Sequence, residues 1–110
     1  MLTPPTLRLA PARATTRRVS VRELEAIEVD LGDFEPSTCR AVFTGVERVG
    51  AEQRPLPIGS SLNRERGVFR WQPGPDFAGT YHLSFDVGQC DGSVTRINID
   101  LSISPLDVRR

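Results

Sequence analysis

Lysine is absent: all fourteen basic residues of the 110-residue chain are arginine. Arg makes better bidentate ion pairs than Lys, but GC-rich coding gives the same bias, and no function is read from it. An excess of one charge is also absent. Fourteen acidic residues cancel the fourteen basic ones, which argues against a nucleic-acid module with its clear basic excess. No apolar run approaches the roughly 18 residues that a membrane span needs. No apolar segment follows Met1, where Leu2-Thr3-Pro4-Pro5 stands, and Arg17-Arg18 lies too deep to open a signal peptide. The expectation is a cytoplasmic chain or a piece cut from a larger secreted protein, and the motifs below favour the second. A phosphate-cradling glycine loop, zinc-ligand spacing and a nucleophile elbow are all missing.

What remains is enough for one domain. The length suits a single core without a metal. Apolar residues reach only 38%, but they cluster, which argues against wholesale disorder.

Helical periodicity is nearly absent. Val19 and Val21 alternate with polar neighbours, and Ile27, Val29 and Leu31 do so again, the strand period of two. The phase breaks near Arg22-Glu23-Leu24, which predicts a turn or bulge between two short strands. Asp30 to Thr38 reads as a loop. Ala41 to Val46 is apolar enough for a third strand. Gly50 to Gly59 is the least ordered-looking part, because Pro55 and Pro57 forbid a central strand. Ser60 to Asn63 suits a short edge strand. Val68-Phe69-Arg70-Trp71 places Phe69 and Trp71 on one face, and Pro73-Gly74-Pro75-Asp76 ends that strand. From Tyr81 to Val87 every odd position is apolar and every even one polar. Ile97 to Ile103 repeats the pattern, with Asp91-Gly92 as the turn signal between them. About seven short strands with turns every eight to twelve residues predict an all-β, immunoglobulin-like (Ig-like) two-sheet β-sandwich with Greek-key connections.

The segment Gly67-Val68-Phe69-Arg70-Trp71-Gln72-Pro73-Gly74-Pro75-Asp76-Phe77-Ala78-Gly79-Thr80-Tyr81 resembles the Ig-like, cadherin-like repeat of bacterial surface and secreted proteins. That family carries a G-x-F-x-W-x-P strand and then A-G-x-Y at the start of the next. Pro4-Pro5-Thr6-Leu7 is similar to the joint that begins each repeat. Leu56-Pro57 followed by Ser61-Leu62 is similar to the family's stretch before the tryptophan strand. The resemblance implies a linker at 1–5, the sandwich at 6–104 and a tail or linker at 105–110. Its core motif is Phe69, Trp71, Gly79 and Tyr81. Phe69 and Trp71 fill the core, Gly79 allows a tight turn, and Tyr81 resembles the tyrosine corner, with its hydroxyl reaching backbone upstream.

The same fold bears on the two cysteines. The position two residues after Tyr81 is Leu83, so the usual immunoglobulin bridge is not available. Cys39 begins the third main strand and Cys90 follows Val87. In an immunoglobulin-like sandwich those strands are antiparallel neighbours, which brings the two cysteines to one end. A Cys39–Cys90 disulfide is therefore expected, and with it an oxidising compartment.

Chemistry is scarce. His82, the sole histidine, sits on the wet side of its strand with Ser84 and Asp86 and is read as solvated. Cadherin-like joints often hold calcium, but Asp30 with Asp33 and Asp86 with Asp91 form no dense acidic run. No cofactor is expected, calcium being the one alternative weighed. Arg64, Arg66 and Arg70 are read as a solvated or ion-paired surface. Phe34 and Phe77, expected in loops, are too few for a sugar-stacking platform. The reading is a non-catalytic structural or adhesive module of an extracellular multi-domain bacterial protein. Its expected partners are neighbouring domains and a protein or glycan surface ligand, with no nucleic acid and no membrane insertion. The rivals are an accessory module of a secreted hydrolase and a structural domain of an intracellular or viral assembly.

Overall fold

Alternating apolar residues can bury only one side of a strand, so sheets built from them must pair face to face. The computed structural model, which describes residues 13–33, 40–90 and 92–105, shows that pairing. Its strands are β1 Arg13–Arg22, β2 Ile27–Asp30, β3 Arg40–Val49, β4 Glu52–Arg54, β5 Ser61–Asn63, β6 Val68–Trp71, β7 Gly79–Gln89 and β8 Val94–Ser104. A five-stranded sheet runs β1-β8-β7-β3-β4 and a three-stranded sheet runs β2-β6-β5.

The core lies between the sheets. Leu83, Phe85 and Val87 of β7 and Ile97, Ile99, Leu101 and Ile103 of β8 face Ile27 and Val29 of β2 and Phe69 and Trp71 of β6. Phe43 of β3 completes the layer. The Phe69 and Phe85 rings pack at 5.3 Å between centroids and join the two sheets at their middle. Tyr81 and Phe77 stand edge-on to Trp71, with centroids 5.3 and 5.5 Å away.

Several expectations need correction. The turn near Arg22-Glu23-Leu24 is present, with Leu24 at φ 72°. Only the second of the strands it joins is short, however. β1 has ten residues and pairs in parallel with β8, whereas β2 belongs to the other sheet. The third strand runs on to Val49, past the expected end at Val46. Within Gly50 to Gly59 a short strand, β4, pairs back onto β3 at the sheet edge. The prolines follow it, so no missing N–H interrupts its ladder. Asp30 ends β2, and a single 3₁₀ turn over Leu31–Asp33 follows. Among the described residues the strands number eight, in line with the expected seven or so. Positions 1–12 and 106–110 lie outside the described residues, as does the segment at 34–39.

Candidate functional site

The aromatic corner follows from local chemistry. Pro73 ends β6, and the chain crosses to β7 through Phe77 and Gly79. Gly79 adopts φ 144°, a conformation that L side chains rarely take. Tyr81 enters β7 with its ring on the core, and its hydroxyl donates to the Phe77 carbonyl at 2.9 Å. Burial and the nearby negative Glu47 both raise the Tyr81 pKa above its ordinary value of 10.0. Trp71 is 3% exposed and donates through Nε1 to the Ile58 carbonyl at 3.1 Å. That bond ties the tryptophan strand to the loop after Leu56-Pro57. Phe77 lies in a loop, as expected, and from there packs against the core. Phe34 lies outside the described residues.

The polar side chains gather on the outer face of the five-stranded sheet. The cross-strand registers His82↔Asp100, Ser84↔Asn98 and Asp86↔Arg96 put three polar pairs in successive rows on β7 and β8. His82 Nδ1 lies 2.9 Å from Asp100 Oδ1, with both side chains largely in water. Arg96 bonds both carboxylate oxygens of Asp86, at 2.8 and 3.1 Å. The Asp86 bond, opposed in part by burial, raises the Arg96 pKa further above the ordinary arginine value.

Ser84 is not wet. It is 5% exposed, because Arg48 from β3 lies over it. Arg48 Nε donates to Ser84 Oγ at 2.8 Å, and Ser84 Oγ donates to Asn98 Oδ1 at 2.8 Å. Alternation placed Ser84 on the outer face correctly. It could not show that a long side chain 36 positions away in sequence would cover it.

Of the sequence-selected acids, Asp30 and Asp86 have described side chains, and each makes its own contact. Asp86 is engaged by Arg96, and Asp30 Oδ1 accepts from the Gly32 amide at 3.0 Å. Asp91 and the side chain of Asp33 lie outside the described residues. No group of three metal-binding side chains occurs among the described residues. Of the three arginines, Arg70 pairs loosely with Glu28 at 3.4 Å, while Arg64 serves β3 through its carbonyl, which accepts from the Phe43 amide. Cys90 is exposed just after β7, and no free cysteine occurs among the described residues. Cys39 lies outside them.

Two sheets, one with a parallel edge strand, sandwich a Trp-Tyr corner: this is an Ig-like β-sandwich module. Comparison with solved structures agrees. A PKD domain from the KIAA 1837 protein superposes with a TM-score of 0.54 at 12% identity, over 92% of this chain and 87% of that one. The 2,6-sialyltransferase of Photobacterium sp. JT-ISH-224 gives 0.63 at 10% identity, over 87% of this chain. The chain spans only 19% of that enzyme's length. These likenesses define the fold alone. No family model matches the sequence, and no curated protein does.

Proposed function

We propose that the chain is a non-catalytic structural or adhesive module of an extracellular multi-domain bacterial protein, a cadherin-like repeat that spaces or presents neighbouring domains. The observation that carries this reading is the parallel β1–β8 ladder. Arg13 pairs with Thr95 and Arg22 with Ser104. The chain therefore enters the sandwich at one end and leaves it at the other, about 30 Å away at the usual strand rise. A module threaded in this way adds its length to a series of domains.

The test fuses one compact reporter domain to each end of the chain and measures the maximum dimension by small-angle scattering. Reporters held apart by the length of the sandwich are expected. Reporters lying side by side would overturn the spacer role.

The Cys39–Cys90 disulfide belongs to the same proposal. Arg40 pairs with Gln89 in the β3–β7 ladder, and Cys39 and Cys90 are the next residues outward in sequence. Such a bond closes a loop of about fifty residues and is worth roughly 2–4 kcal/mol. Protein recovered from an oxidising compartment is expected to take up no alkylating reagent until reduced. Two thiols labelled without reductant would remove the bond and, with it, the argument for secretion.

The reading requires no cofactor. Thermal unfolding in calcium and in a chelator is expected to coincide, and a calcium-dependent rise in melting temperature would count against it.

A second reading is an accessory, carbohydrate-contacting module of a secreted hydrolase. The likeness to a stretch of the sialyltransferase is one of fold and is compatible with it. A catalytic domain in the parent gene would select this reading, and tandem repeats would select the first.

A further inference from the structure

The Arg48 clamp builds a small cleft on the outer face of the five-stranded sheet. The cleft holds about 170 Å³ and is lined by Thr44, Val46, Arg48, Gln53, Ser84 and the Asp86–Arg96 pair. Asn98 orients the Ser84 hydroxyl, and that hydroxyl holds Arg48 Nε. The guanidinium is thus fixed through one nitrogen, by a nearly dry neutral group. Among the described residues Arg48 has no carboxylate partner, unlike Arg96, which is engaged by Asp86 on two nitrogens. Two arginines and one aspartate leave the cleft with one net positive charge.

We propose that this cleft binds a uronate, an acidic sugar unit, through its carboxylate on Arg48. A guanidinium offers parallel N–H groups that match the two oxygens of a carboxylate. Holding Nε beforehand reduces the side-chain freedom lost on binding. The single net positive charge is matched by one carboxylate. The remaining lining mixes a donor and acceptor hydroxyl (Thr44), an amide (Gln53) and a carboxylate acceptor (Asp86). Sugar hydroxyls beside the carboxylate can meet these groups, whereas an acidic peptide side chain carries no such hydroxyls. No aromatic side chain lines the cleft, so stacking adds nothing, and a dissociation constant on the order of 1 mM is expected. The site goes beyond the spacer role, whose scattering test is independent of it.

The test is an amide and arginine side-chain NMR titration of the chain with glucuronate, glucose, acetate and a glutamate-containing peptide. Glucuronate is expected to shift Arg48 Nε and the amides of Thr44, Val46 and Ser84. Glucose should leave them unmoved, and acetate and the peptide should bind at least several-fold more weakly. Arg48→Gln should abolish the shifts and Arg70→Gln, on the other sheet, should retain them. If Arg48→Gln disturbs the fold, Thr44→Val and Gln53→Ala, at exposed positions, each should weaken binding at least two-fold. Equal shifts with glucose, or a response that survives both of those variants, overturns the site. Acetate or the peptide binding as tightly as glucuronate overturns the assignment to a sugar.

Discussion

A Cβ added to Gly67 would lie 2.5 Å from Cζ of the buried Phe43 ring, and Gly67 itself adopts φ 75°. The residue is also held at both backbone groups. Its amide donates to the Asn63 carbonyl and its carbonyl accepts from the Leu31 amide, each at 2.7 Å. The turn between β5 and β6 thus presses directly onto the ring that anchors β3.

Gly67→Ala therefore combines a left-handed backbone penalty with overpacking against a ring that has no room to withdraw. The expected loss is roughly 2–4 kcal/mol. Gly50 is the control: its φ is 64°, but nothing lies within 4 Å of an added Cβ. Gly50→Ala should cost only the backbone part, roughly 1–2 kcal/mol. Denaturant unfolding of the two variants measures the difference, and equal losses would show that the Phe43 contact does not matter.

Trp71→Ala removes the ring that Phe77 and Tyr81 both contact edge-on. It should destabilise by roughly 3–5 kcal/mol, as other large aromatic truncations do. That is a large part of the stability of so small a domain. A melting temperature unchanged within a degree or two would contradict its role as a core anchor.

Tyr81 is the sole tyrosine, so an absorbance titration reports on it alone. Its pKa is raised in the folded state, by burial first and by Glu47 second. The neutral phenol is thus favoured by folding. The associated stability is complete below the unfolded pKa and is lost as pH rises through the higher folded value. Wild-type protein should lose stability in that alkaline window, and Tyr81→Phe should lose less. At neutral pH Tyr81→Phe should cost roughly 0.5–1.5 kcal/mol, through loss of the bond to Phe77. A folded-state phenol titrating at or below its ordinary value would contradict the burial.

Neighbouring outer positions of β7 should respond differently. His82→Ala removes an exposed contact with Asp100 and should change stability by less than about 0.5 kcal/mol. Ser84→Ala leaves Arg48 Nε and Asn98 Oδ1 without their shared hydroxyl. It should cost roughly 1–2 kcal/mol. Chemical unfolding of both variants decides the point, and equal small effects would mean that water replaces the hydroxyl without loss.

Period-two alternation was sufficient to place Leu83, Phe85, Val87, Ile97, Ile99, Leu101 and Ile103 in a core, because side chains on a pleated strand must point to alternate faces. The Phe69–Trp71 face and the Tyr81 corner were likewise local, carried by residues close together in the chain. Pairing partners were not local. That β1 runs parallel to β8, with Val21 and the Ser104 hydroxyl that reaches its carbonyl 83 positions apart, depends on which edge remains open once the other strands have paired. The site on the outer face has the same origin. Arg48, Ser84 and Asn98 each read as ordinary exposed polar residues, since nothing in a single strand records the register of its neighbours. Only the assembled sheet links the three side chains by hydrogen bonds, buries Ser84 beneath Arg48 and leaves a guanidinium fixed at the cleft.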